Sequence, residues 1–191
     1  MQLVKPSTAC LPSYVAALER GWSPDNLRPS ATTEELASIS DDRDAFLRRL
    51  DDREARGAPI VLPDGSTAAR LPGYRRWLWD GEFCGSIALR WQPGTTELPP
   101  HCLGHIGYAV VPWKQRRGHA TEALRQLLPE AAAVGLAFVE ITTDPDNVAS
   151  QRVIQANGGV LHERFVAPSA YGAGRAKLRY RIALVPAMPL G

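Results

Sequence analysis

The stretch Val110-Val111-Pro112-Trp113-Lys114-Gln115-Arg116-Arg117-Gly118-His119-Ala120-Thr121 joins a strand-like apolar run to a helix-patterned segment through a basic, glycine-bearing turn. Lys114, Arg116 and Arg117 crowd a helix start, where the aligned peptide dipoles already place partial positive charge. That arrangement predicts an anion in the turn. A phosphate is the expected one, because the first N–H groups of a helix lack intrahelical acceptors and phosphate oxygens can satisfy several of them. Gly118 and Ala120 keep side chains out of that approach, while Thr121 adds a hydroxyl donor and Gln115 an uncharged amide.

On the N-terminal side of this turn, His105 to Val111 predicts a strand whose Gly107 permits close backbone approach. On the other side Ala120, Leu124, Leu127, Ala131 and Val134 recur at helical spacing up to Gly135, with Pro129 expected to kink or end the helix early. Phe138 to Thr142 reads as a strand. Asp146 or Asn147 then caps a helix bearing Ala149, Val153 and Ala156, closed by Asn157-Gly158-Gly159. Val160 to Val166 and Leu178 to Val185 are two further strands, and Pro186 to Gly191 a frayed tail.

Upstream, Arg75 to Trp79 and Phe83 to Trp91 form a hairpin through a tight Asp80-Gly81 turn. Its Trp77 and Trp79, with Trp91, either pack across strands or line a cleft, and the Pro93 to Pro100 loop is placed beside a substrate site. Three helices are expected before it: Tyr14 to Arg20, one opening at Thr32 or Thr33, and Asp44 to Arg56 with a largely solvated, charged face. Helices and a hairpin followed by alternating strands and helices indicate an α/β chain of the α+β kind, with helices on the faces of a sheet.

With 191 residues and 45% hydrophobic content, the chain suits one domain, 1–191. The 22 basic and 20 acidic side chains leave a net charge of +2, which excludes broad affinity for nucleic acid or membrane and confines charge recognition to a local patch. Three cysteines without C-x-x-C spacing argue against a disulfide framework or a cysteine-rich zinc site, and fit a reducing cytoplasm. The N-terminus, broken by Pro6 and Pro12, lacks the apolar run of a signal peptide, and no later segment has the length of a membrane span.

Gln115-Arg116-Arg117-Gly118-His119-Ala120 resembles the acyl-CoA loop, Q/R-x-x-G-x-G/A, of the GNAT superfamily of N-acyltransferases. Asn147-Val148-Ala149-Ser150, on a helix ending in Gly158-Gly159, is similar to that family's N-x-x-S helix. The resemblance covers about residues 75–185. It implies a mixed, mostly antiparallel central sheet flanked by helices on both faces, with acetyl-CoA as co-substrate. The pyrophosphate would lie on Gln115, Arg116, Arg117, Gly118, His119, Ala120 and Thr121, with the backbone of Val110 and Val111 along the pantetheine arm and an amide there polarising the thioester carbonyl. Asn147 and Ser150 would touch the cofactor from the second helix, and Arg152 an outer phosphate; the residues themselves equally allow Asn147 as an N-cap and Ser150 as a first-turn residue.

The implied reaction is direct attack of a neutral amine, from a small molecule or a protein, on the thioester in a ternary complex. Relatives commonly place a tyrosine as the thiolate's acid where this chain has Ile154, which leaves Tyr108 and Tyr180 as candidate acids. His105 is the candidate base, with Glu82 or a water chain as substitutes. His101, Cys102 and His105 fall short of the four ligands of a structural zinc site, so no metal is expected. Two competing readings are a non-catalytic acyl-CoA-binding module and phosphate contacts to nucleic acid through Lys114, Arg116 and Arg117. A monomer and a homodimer are both compatible with the sequence.

Overall fold

A computed structural model of the chain describes residues 1–184 apart from 26, 27, 29, 63, 169, 170, 172 and 173; the end of the last expected strand at Val185 and the tail beyond it lie outside the described residues. The hairpin at its centre is β5 (Gly73–Trp79) and β6 (Phe83–Arg90). Side chains alternate across it: Tyr74 and Leu78 enter one hydrophobic core and Trp77 the other. The connection is longer than the expected two-residue turn. Trp79 pairs with Phe83 after a register shift at Leu78/Trp79, so Asp80, Gly81 and Glu82 all lie in the loop.

Around this hairpin β1 (Gln2–Val4) and β2 (Asp51–Asp52) pair with β5, and β7 (Ile106–Val110) pairs with β6, giving a five-stranded antiparallel sheet. A second antiparallel sheet has the order β8 (Phe138–Thr143), β10 (Ala176–Ala183), β9 (Val160–Val166). β3 (Ile60–Val61) and β4 (Thr67–Ala68) form a separate small hairpin. Helices α1 (Leu11–Glu19), α2 (Ala31–Asp41) and α3 (Arg43–Arg49) cover one face, while α4 (His119–Ala133) and α5 (Val148–Gln155) cover the other.

The expected architecture of a largely antiparallel sheet between helical layers therefore holds, with one division that the pattern of strands does not announce. β7 and β8 form no ladder among the described residues; they are tied where His105 N–H donates to Glu140 C=O at 2.8 Å. Beyond that tie the two sheets part, and β7 keeps a free edge.

Two helix expectations are corrected. The segment Asp44 to Arg56 is helical only through Arg49, because Asp51–Asp52 is captured by pairing with Gly73–Tyr74 and Ala55 takes a φ of 54°. Its face is not mainly solvated either, since Phe46 is wholly buried and Leu50 nearly so. Pro129 does not stop α4, which runs on to Ala133. The ring sits on the exposed side, where the N–H it removes leaves a carbonyl that water can reach. In α5 the buried position is Ile154, whereas Ala149 and Ala156 are exposed.

The aromatic residues settle as core. Tyr14 of α1 stacks on Trp77 with ring centroids 4.5 Å apart, and Trp22 and Phe83 meet it edge-on. Trp91 packs against Tyr74. Trp77, wholly buried in this cluster, cannot line a cleft.

Candidate active site

After β7 the chain makes a single 3₁₀ turn at Pro112–Lys114 and then two left-handed residues, Arg116 (φ 60°) and Gly118 (φ 77°), before α4 begins. Gly118 is the N-cap. The first intrahelical bond there is Glu122 N–H to Gly118 C=O at 3.0 Å, so the N–H groups of His119, Ala120 and Thr121 precede it and are left for an external acceptor. Arg116, Arg117 and Gly118 are exposed, and neither arginine forms an ion pair among the described residues. Gln115 instead folds back, its Nε2 donating to Val110 C=O at 3.3 Å.

Lys114 is the exception among the three cations. It is 8% exposed and its Nζ lies 2.8 Å from an Asp80 oxygen and 2.6 Å from Glu82. The hydrogen bonds it donates to these two carboxylates hold its pKa above the ordinary lysine value. The ammonium is spent on fastening the loop to the β5–β6 turn, and only Arg116 and Arg117 project from the surface.

The free edge of β7 is phased one residue differently from the expected pair Val110 and Val111. Val111 N–H donates to Cys84 C=O at 2.9 Å and its C=O accepts from Lys114 N–H at 3.0 Å, so its backbone has nothing left to offer. Antiparallel ladders alternate between residues that bond the partner strand and residues that face away. With Val111 facing β6, Val110 and Tyr108 turn their N–H and C=O groups towards the gap between the sheets. Tyr108 is thus a backbone candidate that spacing alone missed, and the register of β7 on Cys84 is the signal that finds it.

On the far side of the gap, Asn147 caps α5, its Oδ1 accepting from Ser150 N–H at 3.0 Å. Ser150 Oγ lies 2.8 Å from the Tyr108 hydroxyl. Burial pushes the Tyr108 phenol up to about 12, so it stays protonated and able to donate. Ile154 is wholly buried, and Tyr180 donates its hydroxyl to Gln151 Oε1 at 3.2 Å. Asn157 Nδ2 donates to Thr121 C=O at 3.1 Å, which locks the start of α4 to the end of α5.

His105 is wholly buried between the sheets. Its Nδ1 accepts from Glu140 N–H at 2.9 Å and its Nε2 stands 2.9 Å from Thr96 C=O. These partners require the neutral Nε2–H tautomer and leave no ring nitrogen for a substrate proton. Burial also holds its pKa below the usual histidine value. The imidazole replaces a missing rung of β-ladder at the point where β7 and β8 separate. The Pro93–Pro100 loop is anchored there too, through Thr96 C=O on His105 and Thr96 Oγ1 accepting from Ala137 N–H.

His105→Asn is therefore expected to lower stability by about 1–3 kcal/mol through the unsatisfied groups it leaves, read as a fall of several degrees in Tm. The pH–rate profile should keep its shape, because no catalytic proton is lost. A profile that loses its acidic limb in this variant would assign the base to His105 after all.

Asp80, Cys84 and His119 bring ligand-type atoms within 4.8 Å of one another, a different grouping from His101, Cys102 and His105. The Lys114 ammonium already sits on the Asp80 carboxylate, and burial pushes the Cys84 thiol up to about 11. The positive charge of this cluster is the lysine's, and no metal is assigned to it.

A helix N-terminus capped by a left-handed glycine, beside a strand edge left open between two sheets, offers an anion a seat next to backbone that can pair with an extended chain. The family model of the acetyltransferase (GNAT) domain matches residues 20–160, and the chain belongs to that family. It is an acetyl-CoA-dependent N-acetyltransferase. No curated protein gives a significant sequence match.

Several solved structures share the fold at low identity. The microcin C7 self-immunity acetyltransferase, in complex with acetyl-CoA and AMP, superposes with a TM-score of 0.64 at 13% identity, over 95% of this chain and 91% of that one. The ribosomal L7/L12 alpha-N-protein acetyltransferase, in complex with coenzyme A, gives 0.59 at 15% identity over 95% and 93%. A variant of the spermidine N-acetyltransferase from Vibrio cholerae gives 0.58 at 13% identity over 96% and 95%.

Proposed function

We propose that the chain moves the acetyl group of acetyl-CoA to a primary amine of a small molecule or protein by direct attack within a ternary complex. The observation that carries this reading is the start of α4, where the N–H groups of His119, Ala120 and Thr121 lie free beside Arg116 and Arg117. A pyrophosphate there accepts charge-assisted hydrogen bonds and completes the helix end. The outward N–H groups of Tyr108 and Val110, with the Tyr108 C=O, take the pantetheine arm as an added strand, and one of these amides polarises the thioester carbonyl.

The amine nitrogen attacks the carbonyl carbon, the C–S bond breaks, and the thiolate takes a proton. With Ile154 lacking a hydroxyl, Ser150 Oγ is the group we assign beside the sulfur, oriented by Tyr108. The ammonium loses its proton to solvent rather than to His105, whose two nitrogens are engaged, or to Glu82, which is paired with Lys114. Asn147 acts through its cap, keeping the first turn of α5 in place.

No helix among the described residues is long and apolar enough to cross a membrane. The near-neutral charge and the free cysteines support action in the cytoplasm without nucleic-acid partners. Two folds of similar shape act, by their names, on spermidine and on a protein α-amine. Polyamines and peptide N-termini are accordingly the first acceptors to try.

Thiol release from acetyl-CoA, followed across such an amine panel, tests the activity; binding of acetyl-CoA with no turnover on any amine would favour the sensor reading. Ser150→Ala is expected to lower kcat by roughly a hundredfold to ten-thousandfold with little change in KM for acetyl-CoA, in line with loss of one general acid–base contribution. An unchanged kcat would remove Ser150 from the reaction.

A further inference from the structure

Where the start of α4 meets the β5–β6 turn, His119 has no evident use for its side chain. Its ring is 11% exposed, and Nε2 is shut off from solvent without a hydrogen-bond partner, 3.6 Å from Asp80 Oδ2. A buried polar nitrogen left unpaired is costly and calls for a state in which it is paired. Protonation would provide one, since Nε2–H would then face a carboxylate.

The charges around the ring explain why the unpaired state persists. Burial holds the imidazole below its usual pKa; Asp80 works against that, and the α-amino group of Met1, Lys114 and Arg117 reinforce it. Glu82 and the Cys84 thiol complete the surroundings, the first paired with Lys114 and the second protonated. Against the two carboxylates of Asp80 and Glu82 stand three cations, Lys114, Arg117 and the α-amino group of Met1. What the cluster lacks is further negative charge, and a pyrophosphate on the backbone N–H of His119 itself would supply it.

We propose that acetyl-CoA binds with uptake of a proton, carried on Nε2 of His119 and held between Asp80 and the cofactor's phosphates. The inference rests on the assignment of the α4 N-terminus to the pyrophosphate. The sign follows from linkage: a group whose pKa rises on binding makes affinity highest below its free value, and that advantage is lost as pH rises through its bound value. A rise of about one unit corresponds to about a tenfold change in affinity across that window.

Calorimetric titration with acetyl-CoA near neutral pH, in phosphate and in Tris, reads the number of protons exchanged from the dependence of heat on buffer ionisation. Uptake is expected for the parent protein, and His119→Asn is expected to bind without it, with affinity that no longer rises towards acid pH. Proton release by the cofactor's own phosphate has the opposite sign and cancels in the difference. NMR titration of the four histidines in the parent protein, with and without saturating acetyl-CoA, decides the matter without any variant. Equal proton uptake in both proteins, or an unmoved His119 imidazole in the saturated complex, overturns the inference while leaving the binding site standing. No acetyl-CoA binding at all overturns the site and the inference together.

Discussion

Gly118→Asp is expected to weaken acetyl-CoA binding by at least about a hundredfold, since losing two charge-assisted hydrogen bonds of about 1.5–3 kcal/mol each already exceeds that factor. The substitution places a carboxylate where the pyrophosphate should lie, next to the free N–H groups of α4. It also demands a left-handed residue at φ 77°, which an L side chain adopts at a cost of roughly 1–2 kcal/mol. The fold should survive, because an added Cβ at Gly118 meets no atom within 4 Å and the residue is exposed. Calorimetry beside a melting curve separates these effects, and Gly118→Ala isolates the backbone cost from the charge. Equal binding by parent and Gly118→Asp would mean that the anion site lies elsewhere.

Gly85→Ala should do the reverse, breaking the fold first and binding as a consequence. Gly85 lies opposite Val110 in the β6–β7 pairing with φ 153°, and an added Cβ would collide with the Ala109 carbonyl and come within 2.8 Å of Val110 Cα. Neither atom belongs to a flexible side chain that could swing aside. The strands must separate, at a cost of roughly 3 kcal/mol or more. Because the displaced residue is Val110, the edge offered to pantetheine moves with it. Thermal melting should show a fall well beyond that of Gly94→Ala, a control with φ 78° and no atom within 4 Å of an added Cβ. Similar small losses in both variants would show that β7 yields without damage.

Local patterning suffices for most of the fold's parts because it reflects interactions between near neighbours. Apolar periodicity marks α4 and α5, strand alternation marks β5 to β8, and Asn147 is legible as a cap because its partner, Ser150 N–H, is three residues away. The basic turn proposed to hold a phosphate was legible for the same reason: Gly118, the arginines and the helix start are contiguous, and the N–H groups left without intrahelical acceptors follow from helix geometry alone. Where local signals gave way, a distant partner was responsible. Asp51–Asp52 left a helix-patterned segment because Gly73–Tyr74 offered it a strand.

Roles that depend on groups far apart in the chain were settled only by folding. Lys114 reads as a phosphate contact until Asp80 and Glu82, 34 and 32 positions earlier, neutralise it. His105 reads as a base until Glu140 and Thr96 occupy its two nitrogens. The choice between Tyr108 and Val111 on the open edge turns on which residue of β7 faces Cys84, a register that a one-residue slip would invert. Residue type and spacing thus specify what chemistry a segment can support. Packing determines which of those groups remain unpaired and therefore able to act, because a charge or hydrogen bond satisfied inside the protein is withdrawn from a substrate.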